Sequence, residues 1–337
     1  MMLGVRVRYA GAHHGVAGRR AARAGSVAGE VNGSGRRFRR VRCPRPAERV
    51  GIRGGAPLRF MIIGHSMRTR LAIFGLTTAA LAASGDPAMT RSVPSYDEDI
   101  AFLRQHAEVV ELSDETGRAR VAVVPAWQGR VATSTSSGGA APGYGWLNRP
   151  VIERGIRPAG ERRGTLEEHI HVFGGEERFW LGPEGGQFSV YFAPGAPFEF
   201  EHWRVPAPLD TEPFRVESRA RDAVRLSHRF VLTNWSGHVR ACRVERSIHL
   251  IDTRAALAVW TPSVPLGIEG VAYESDNRLT NTGDSPWTPD TGLLSIWILG
   301  MYNASPDTTV VVPIRTGPES QLGVEVTSDY FNLKKLD

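Results

Sequence analysis

Apolar and polar residues alternate with a period of two over much of the chain beyond residue 110. The two longest alternating runs cover residues 224–232 and 242–250, and a shorter run covers residues 188–192. Two further runs, rich in β-branched residues, lie at 121–124 and 308–314. Because successive side chains of a strand point to opposite faces of its sheet, these patterns predict five strands.

One segment follows a helical period instead. Ile100, Leu103 and His106 are spaced to lie near one helix face within residues 96–110. Ser95 precedes three acidic residues, which favour a helix N-terminus because they interact with the positive end of the helix dipole. The sequence therefore predicts one helix over residues 96–110.

Clusters rich in Gly, Pro, Ser and Asn separate the alternating runs. The cluster at residues 233–238 lies between the two longest runs and predicts a hairpin turn. The sequence LTNTGD at 279–284 is similar to LTNWSG at 232–237, which predicts two equivalent turns in one sheet stack. Many strands, frequent turns and a single helix predict an all-β fold, either an antiparallel sandwich or a barrel.

Charge is distributed unevenly along the 337 residues, whose formal net charge is +6. Residues 1–66 carry 14 Arg and two acidic residues, whereas residues 67–337 carry six more acidic than basic residues. Nucleic-acid binding relies on basic side chains that neutralise phosphates, so the acidic remainder argues against a nucleic-acid partner. Residues 1–66 have almost no apolar periodicity, which predicts a disordered basic extension or a segment that is not part of the natural product.

Residues 67–82 have the three parts of a secretory signal peptide. Basic residues come first, an apolar run covers 71–81, and Ala80 and Ala82 supply small residues before a cleavage point. The apolar run is too short to span a bilayer, so we expect no stable membrane insertion. The alternative is a basic tail that precedes a short buried helix.

Cleavage after the signal peptide predicts a secreted or periplasmic domain that covers residues 83–337. The end of this domain has an unusual composition, because every basic residue before position 334 is Arg and Lys334 and Lys335 lie in the last four residues. A frame slip or a truncation would produce such a change, so we expect the β fold to be cut short at its C-terminus.

Polar chemistry is concentrated in residues 167–187, which contain two His, five Glu, one Arg, one Trp and five Gly. If His169 and His171 lie on a strand, both imidazoles point to one face of it. Trp180 offers a flat apolar surface, and Arg178 offers a planar set of donors for hydroxyl or carboxylate groups. Since sugar rings have apolar faces and hydroxyl edges, this combination predicts a sugar-binding site.

Three further residues complete the predicted sugar site. Glu176 and Gln187 supply polar groups within the same segment, and Asn148 lies in a polar and aromatic turn that is a candidate for the rim of the cleft. The alternative for the whole segment is a surface loop held together by salt bridges.

A metal site is the third interpretation of this segment. The HxH sequence followed by Glu176 resembles the cupin pattern, which would make His169, His171 and Glu176 ligands of Fe, Mn or Zn. The spacings differ from that pattern, and the second cupin motif with its later His is not found. The sequence therefore predicts no metal and no other cofactor.

Four strings of the sequence carry a family resemblance: VVPAWQGRVATSTSSG, GYGWLNRPVI, HVFGGEERFWLGPEGGQFSVYF and LTNTGDSPWTPDTGLLSIWILGMYN. On these strings, residues 95–332 resemble an uncharacterised family of secreted bacterial proteins whose sheets are similar to the galactose mutarotase-like supersandwich. The resemblance implies an antiparallel β-supersandwich.

Mutarotases and related aldose 1-epimerases use a His general acid at the ring oxygen and a Glu general base at the anomeric hydroxyl. Each of these groups has to lie within hydrogen-bond reach of its proton. The resemblance implies that His169 or His171, together with Arg178, corresponds to the substrate-binding His and Arg of those enzymes. No His follows LTNTGD, where those enzymes have their acid. Their base Glu lies late in the domain, and Glu184 is the best internal substitute for it, by proximity in sequence.

These observations predict an exported carbohydrate-active protein that binds a sugar or glycan end. In its catalytic form, His171 or His169 acts as the acid and Glu184 as the base of an epimerase-like proton transfer. Arg178, Trp180 and Gln187 position the ligand. The alternatives are a non-catalytic glycan-binding module and a cupin-like metal-dependent enzyme.

Overall fold

The computed structural model describes residues 2–14, 38–42, 58–64, 93–258, 268–304, 308–313 and 317–322. The predicted signal peptide, most of residues 1–66 and the two lysines near the C-terminus lie outside the described residues. The described helices are α1 (Tyr96–His106), α2 (Arg149–Arg154), α3 (Ala207–Asp210), α4 (Thr253–Ala258) and α5 (Glu319–Leu322). The described strands are β1 (Met2–His14), β2 (Phe38–Arg42), β3 (Leu58–Gly64), β4 (Val110–Ser113), β5 (Arg120–Val124), β6 (Arg130–Thr135), β7 (Arg178–Gly182), β8 (Arg215–Arg219), β9 (Ala223–Thr233), β10 (Val239–Leu250), β11 (Ile268–Asn281), β12 (Ser295–Leu299) and β13 (Thr308–Pro313).

The largest sheet has eight strands in the order β2-β13-β3-β1-β11-β10-β9-β8. Its neighbouring strands are antiparallel except for β1 and β3, which are parallel. Two smaller antiparallel sheets have the orders β4-β5-β6 and β12-β7. The described part of the chain is therefore all-β and mainly antiparallel, as the sequence predicts.

Three strands of the largest sheet lie within residues 1–66, where the sequence predicts disorder. β1 pairs with β11 along its whole length, and β2 and β3 pair with β13. An edge strand presents unpaired backbone groups, and an extended segment can pair with them without an apolar face of its own. β1 also has a strand-like period of two, because Leu3, Val5, Val7 and Tyr9 alternate with Gly4, Arg6 and Arg8.

The helix predicted over residues 96–110 is α1, and it is shorter than predicted. Its N-terminus has a capping box, because Ser95 Oγ accepts from the Glu98 N–H and the Glu98 carboxylate accepts from the Ser95 N–H. The helix ends at His106, since Ala107 is extended and β4 begins at Val110. The last turn of the predicted helix is therefore absent, because the chain becomes extended and enters β4.

The two longest alternating runs form the β9–β10 hairpin, which confirms the prediction. Thr233 and Val239 are the last paired residues before the turn, where the Asn234 side-chain oxygen accepts from the His238 N–H. The run at residues 188–192 alternates without forming a strand, so that prediction is wrong. Its backbone instead follows a turn, in which Ser189 N–H donates to Gly186 O.

Alternate residues of β9 and β10 face a hydrophobic core. Val224 and Leu226 of β9 and Val244 and Ile248 of β10 are buried in one cluster with apolar residues of β4, β5, β6, β7 and β11. The three sheets therefore share this core, as expected when each sheet buries one face. None of the helices in the described part of the chain is long and apolar enough to cross a membrane.

Candidate functional site

Charged and titratable side chains are buried beside the core, and we call seven of them the buried polar cluster. They are Arg130, His171, Glu176, Glu177, Arg178, Asp210 and Arg246. A buried charge is costly unless it is paired and hydrogen-bonded, so such a concentration needs a structural or functional reason.

Two glycines within residues 167–187 allow the backbone to pack against Trp146 and Arg130. Gly174 has a φ of 88° and Gly175 a φ of 104°, values that side chains other than glycine's rarely allow. A Cβ at Gly174 would lie 2.1 Å from Trp146 O, and a Cβ at Gly175 would lie 2.7 Å from Arg130 Cδ. These glycines therefore allow the chain to pack closely on itself at the point where the cluster begins.

Asp210, at the end of α3, holds His171. The His171 N–H donates to Asp210 Oδ1 (3.0 Å), and His171 Nδ1 lies 2.8 Å from Asp210 Oδ2. Because an ionised carboxylate only accepts hydrogen bonds, Nδ1 donates to it, and in the neutral form of the imidazole Nε2 then has the lone pair. His171 Nε2 is buried and has no hydrogen-bond partner among the described residues. The imidazole is thus oriented by one nitrogen, and the other is available as an acceptor.

Arg178 binds the same carboxylate from β7. Its Nη2 donates to Asp210 Oδ1 (3.2 Å) and to Leu209 O (2.8 Å). Its guanidinium carbon lies 4.5 Å from the centre of the Trp180 ring, which is a cation–π contact. The structure thus brings together two of the predicted residues, His171 and Arg178, through a carboxylate that the sequence analysis did not select.

Glu177, which precedes β7, forms a second pair with Arg246 of β10. Arg246 Nη2 donates to Glu177 Oε2, and both side chains are fully buried. The Ser275 hydroxyl on β11 lies 3.4 Å from Glu177 Oε1. Among the described residues, Arg246 Nε and Nη1 have no hydrogen-bond partner. This pair therefore leaves donors of a buried guanidinium unused.

Glu176 is buried among hydroxyl groups rather than beside a cation. Ser134 Oγ donates to its Oε2 (2.9 Å), and the Tyr273 hydroxyl donates to the same oxygen (3.2 Å). Burial raises the pKa of Glu176 to about 7, and the hydrogen bonds from Ser134 and Tyr273 oppose this shift only in part. Its Oε1 has no partner among the described residues. Glu176 can therefore gain or lose a proton near neutral pH.

Arg130 is the remaining cation of the cluster. Its Nη1 donates to Gly174 O (2.7 Å) and its Nη2 to Gln128 Oε1 (3.1 Å), so both acceptors are neutral. Burial lowers the pKa of its guanidinium well below the usual range, and the nearby charges of Arg178 and Arg246 add to this effect. Arg130 thus lies close to both ion pairs without having a carboxylate of its own among the described residues.

His169 does not join His171. The two residues follow a short helical turn instead of a strand, so their imidazoles do not share a face. His169 Nδ1 lies 2.7 Å from both Arg204 Nη1 and Trp203 O, and its ring stacks on Phe200 at 4.3 Å between centres. The condition for imidazoles paired on one strand face, a strand over residues 169–171, is therefore not met.

Trp180 and Glu184 contact each other at the other end of β7. Trp180 is fully buried, which prevents its ring from serving as an open platform for a ligand. Its Nε1 donates to Glu184 Oε1 (2.5 Å), so the carboxylate predicted as the base is bonded to the core indole. Glu184 is bound in this way because the N–H of a buried indole needs a hydrogen-bond acceptor.

Gln187 and Asn148 also lie apart from the cluster. The Gln187 side chain is exposed, and its carbonyl accepts from the Ser236 hydroxyl (2.6 Å) of the β9–β10 turn. Asn148 precedes α2, and its backbone N–H donates to Phe173 O (3.0 Å). Of the eight predicted residues, the structure brings together His171 and Arg178 through Asp210, whereas Glu176 is buried with Ser134 and Tyr273 as its partners.

Metal ligation would require three converging donors. His169 and His171 have different partners, and within residues 93–258 and the other described ranges no group of three His, Cys, Asp or Glu side chains is arranged to hold a metal ion. The geometry of the predicted cupin-like set is therefore not present there.

Sequence reasoning missed Arg130, Glu177, Asp210 and Arg246. Arg246 had a visible signal, because it occupies the position between Val244 and Ile248 on the apolar face of an alternating run. Asp210 had none, since it lies 39 residues after His171 and only the fold brings the two together.

Comparisons with known proteins support one assignment. Residues 94–336 match the family described as "Family of unknown function (DUF6786)". No curated protein and no solved structure matches the chain.

Proposed function

The chain belongs to this family of unknown function, and on its geometry we propose that the buried polar cluster binds a sugar and transfers protons to and from it. The observation that carries the proposal is the His171–Asp210 pair, which leaves a buried imidazole nitrogen without a partner among the described residues. A carboxylate that orients an imidazole through one nitrogen prepares the other for acid–base work.

His171 acts as the base in this proposal. Because Asp210 fixes the proton on Nδ1, Nε2 can accept a proton from a sugar hydroxyl, and Asp210 then stabilises the imidazolium. Arg178 holds Asp210 in place and so acts as a positioning residue.

Glu176 acts as the acid. Its raised pKa of about 7 keeps much of the carboxyl protonated near neutral pH, and its Oε1 is the oxygen without a partner in the described part of the chain. Opening a sugar ring requires a proton to be taken from the anomeric hydroxyl and another to be given to the ring oxygen. His171 and Glu176 supply these two functions without any net change in protons. Glu176 thus replaces Glu184 in the proposal, and the His becomes the base instead of the acid.

We also propose a galactose mutarotase-like supersandwich for the fold. A galactose mutarotase-like supersandwich would provide a sheet face of the kind on which Arg246, Ser275 and Asn277 lie, and these residues neighbour one another across β10 and β11. Export from the cell is also proposed, on the signal-peptide pattern of residues 67–82.

The test is the rate of anomer interconversion of monosaccharides, followed by polarimetry with the full chain. We expect acceleration by the wild type and a loss of at least about 100-fold for His171→Gln, since general base catalysis contributes this much. His202→Gln, at an exposed histidine of a surface turn, is the matched control and should keep the wild-type rate.

Two other results would change the proposal. Saccharide binding without acceleration would favour the non-catalytic glycan-binding module. Failure of a folded sample to bind any member of a glycan array would contradict the carbohydrate proposal as a whole.

A further inference from the structure

Two of the three cations of the buried polar cluster are paired with a carboxylate among the described residues, and Arg130 is not. Three arginine residues, Arg130, Arg178 and Arg246, are at least 97% buried. Asp210 pairs with Arg178, and Glu177 pairs with Arg246. No ion pair within the described residues includes Arg130.

Glu176 does not supply the missing negative charge. Its Oε2 accepts from Ser134 and Tyr273, which are neutral donors, and its buried position disfavours the ionised form. An unpaired buried cation is strongly unfavourable, so an anion from outside the chain would stabilise this cluster.

Arg130 is held in its position by an unusual backbone. Gln128, which accepts from Arg130 Nη2, is the single residue other than glycine with a positive φ among those described, at 61°. Backbone of this kind is retained at functional sites when the surrounding structure requires it. The buried Arg130 is thus fixed by its neighbours although no carboxylate among the described residues neutralises it.

The atoms without partners define what a ligand must offer. Arg130 Nε and Arg246 Nε and Nη1 are donors, whereas His171 Nε2 is an acceptor, and in the described part of the chain none of them has a hydrogen-bond partner. A ligand that satisfies them carries an anionic acceptor for the guanidinium groups and at least one hydroxyl for the imidazole.

We infer that the ligand is an acidic sugar, such as a uronic acid, whose carboxylate binds Arg130 and Arg246 while a hydroxyl donates to His171 Nε2. This inference rests on the proposed function and names its substrate class. Guanidinium groups suit a carboxylate because they present several donors in one plane. The sugar carboxylate therefore supplies the charge that this cluster lacks.

The experiment is isothermal titration calorimetry of the full chain at constant ionic strength. The probes are galacturonate, glucuronate, galactose, glucose and acetate. We expect at least one uronate to bind tenfold or more tightly than the corresponding neutral sugar, and acetate to bind more weakly than that uronate.

Arg130→Met is the informative variant, and we expect it to lose the preference for the uronate. Arg229→Met removes an exposed arginine of β9 and should keep the preference. The comparison of probes on the wild type decides the inference even if Arg130→Met does not fold.

Each contrary result has a distinct meaning. Neutral sugars that bind as tightly as uronates would overturn the acidic-sugar inference and leave the proposed function standing. Acetate that binds as tightly as the uronates would show a simple carboxylate site and overturn the substrate class. No binding of any saccharide by folded protein would contradict the proposed function itself.

Discussion

Asp210 is the acceptor on which two buried side chains depend. It accepts from the His171 backbone and imidazole and from the Arg178 guanidinium, and it is almost fully buried. Removing one partner of such a group leaves the other partners buried without compensation, and that is more damaging than the loss of a surface pair.

Asp210→Asn should therefore destabilise the protein by about 3 kcal/mol, because it leaves the Arg178 charge unpaired in the interior. Urea denaturation at neutral pH measures this change. Asp284→Asn is the control, since Asp284 is exposed, and its stability should stay within about 0.5 kcal/mol of the wild type. Equal stabilities of the two variants would show that the Asp210 pairing is unimportant.

Glu176→Gln should alter how stability depends on pH. The native carboxyl keeps its proton up to a pKa of about 7, whereas the ordinary value is 4.5, so the native state binds more protons than the unfolded state between these pH values. The stability contributed by this group is present below about pH 4.5 and is lost as the pH rises through about 7. The amide that Glu176→Gln introduces cannot ionise, so the variant should escape a loss of up to about 3 kcal/mol.

Urea denaturation of the wild type and the variant at about pH 5 and pH 8 measures this difference. Asp99, whose burial raises its pKa to about 6, titrates in both proteins and cancels in the comparison. Glu115→Gln, at an exposed surface carboxylate, is the control and should behave as the wild type. An unchanged pH dependence in Glu176→Gln would contradict the assignment of this titration to Glu176.

Individual site residues were predictable where several polar residues lie close together in the sequence. His171, Glu176 and Arg178 lie within eight residues of one another, so the polar segment revealed them. Their partners Asp210 and Arg246 come from distant elements, and pairing across such distances is set by the fold. Trp180 was assigned to a ligand because sequence does not reveal which side of a strand is covered.

Among the elements, α1 has the clearest local cause. Ser95 and Glu98 satisfy each other's backbone N–H groups at its first turn, so the start of the helix was predictable from the sequence. The end of α1 was not predictable, because β4 takes residues that continue the helical spacing.

Ser95→Ala should destabilise the protein by about 1 kcal/mol, since it leaves the Glu98 N–H without its side-chain acceptor. Ser95→Asp keeps an accepting oxygen at the cap and should retain most of the stability. Guanidinium denaturation of both variants provides the measurement. A loss as large in Ser95→Asp as in Ser95→Ala would contradict the capping role.

Alternation of apolar and polar residues predicted strands correctly where a second alternating run lay close by to pair with it, and incorrectly where none did. The β9 and β10 runs face each other across one short turn, and both form strands. Residues 188–192 have the same alternation but form turns, and the Tyr191 hydroxyl is bonded to Leu181 O (2.5 Å) in the core. Burial can therefore produce the same pattern without strand pairing.

At the scale of the whole molecule, the charge pattern separates two parts of the sequence. The first 66 residues are strongly basic, and the remainder is acidic. The signal-peptide pattern begins where this basic segment ends, and the proposed export rests on that pattern.

Export is measured by mass spectrometry of the protein released by its natural host. We expect a mature N-terminus close to Ala83, because Ala80 and Ala82 precede that position as small residues suited to cleavage. Cell-associated protein that retains residues 67–82 would contradict the proposed export.

The proposed chemistry depends most on His171 Nε2 being a ligand-binding nitrogen. The direct measurement is the nitrogen-15 NMR spectrum of the histidine-labelled full chain, recorded without a saccharide and with saturating neutral and acidic saccharides. We predict that free His171 carries its proton on Nδ1, and that at least one saccharide shifts its Nε2 signal while His202 is unchanged. A His171 spectrum that no saccharide alters would contradict the central claim.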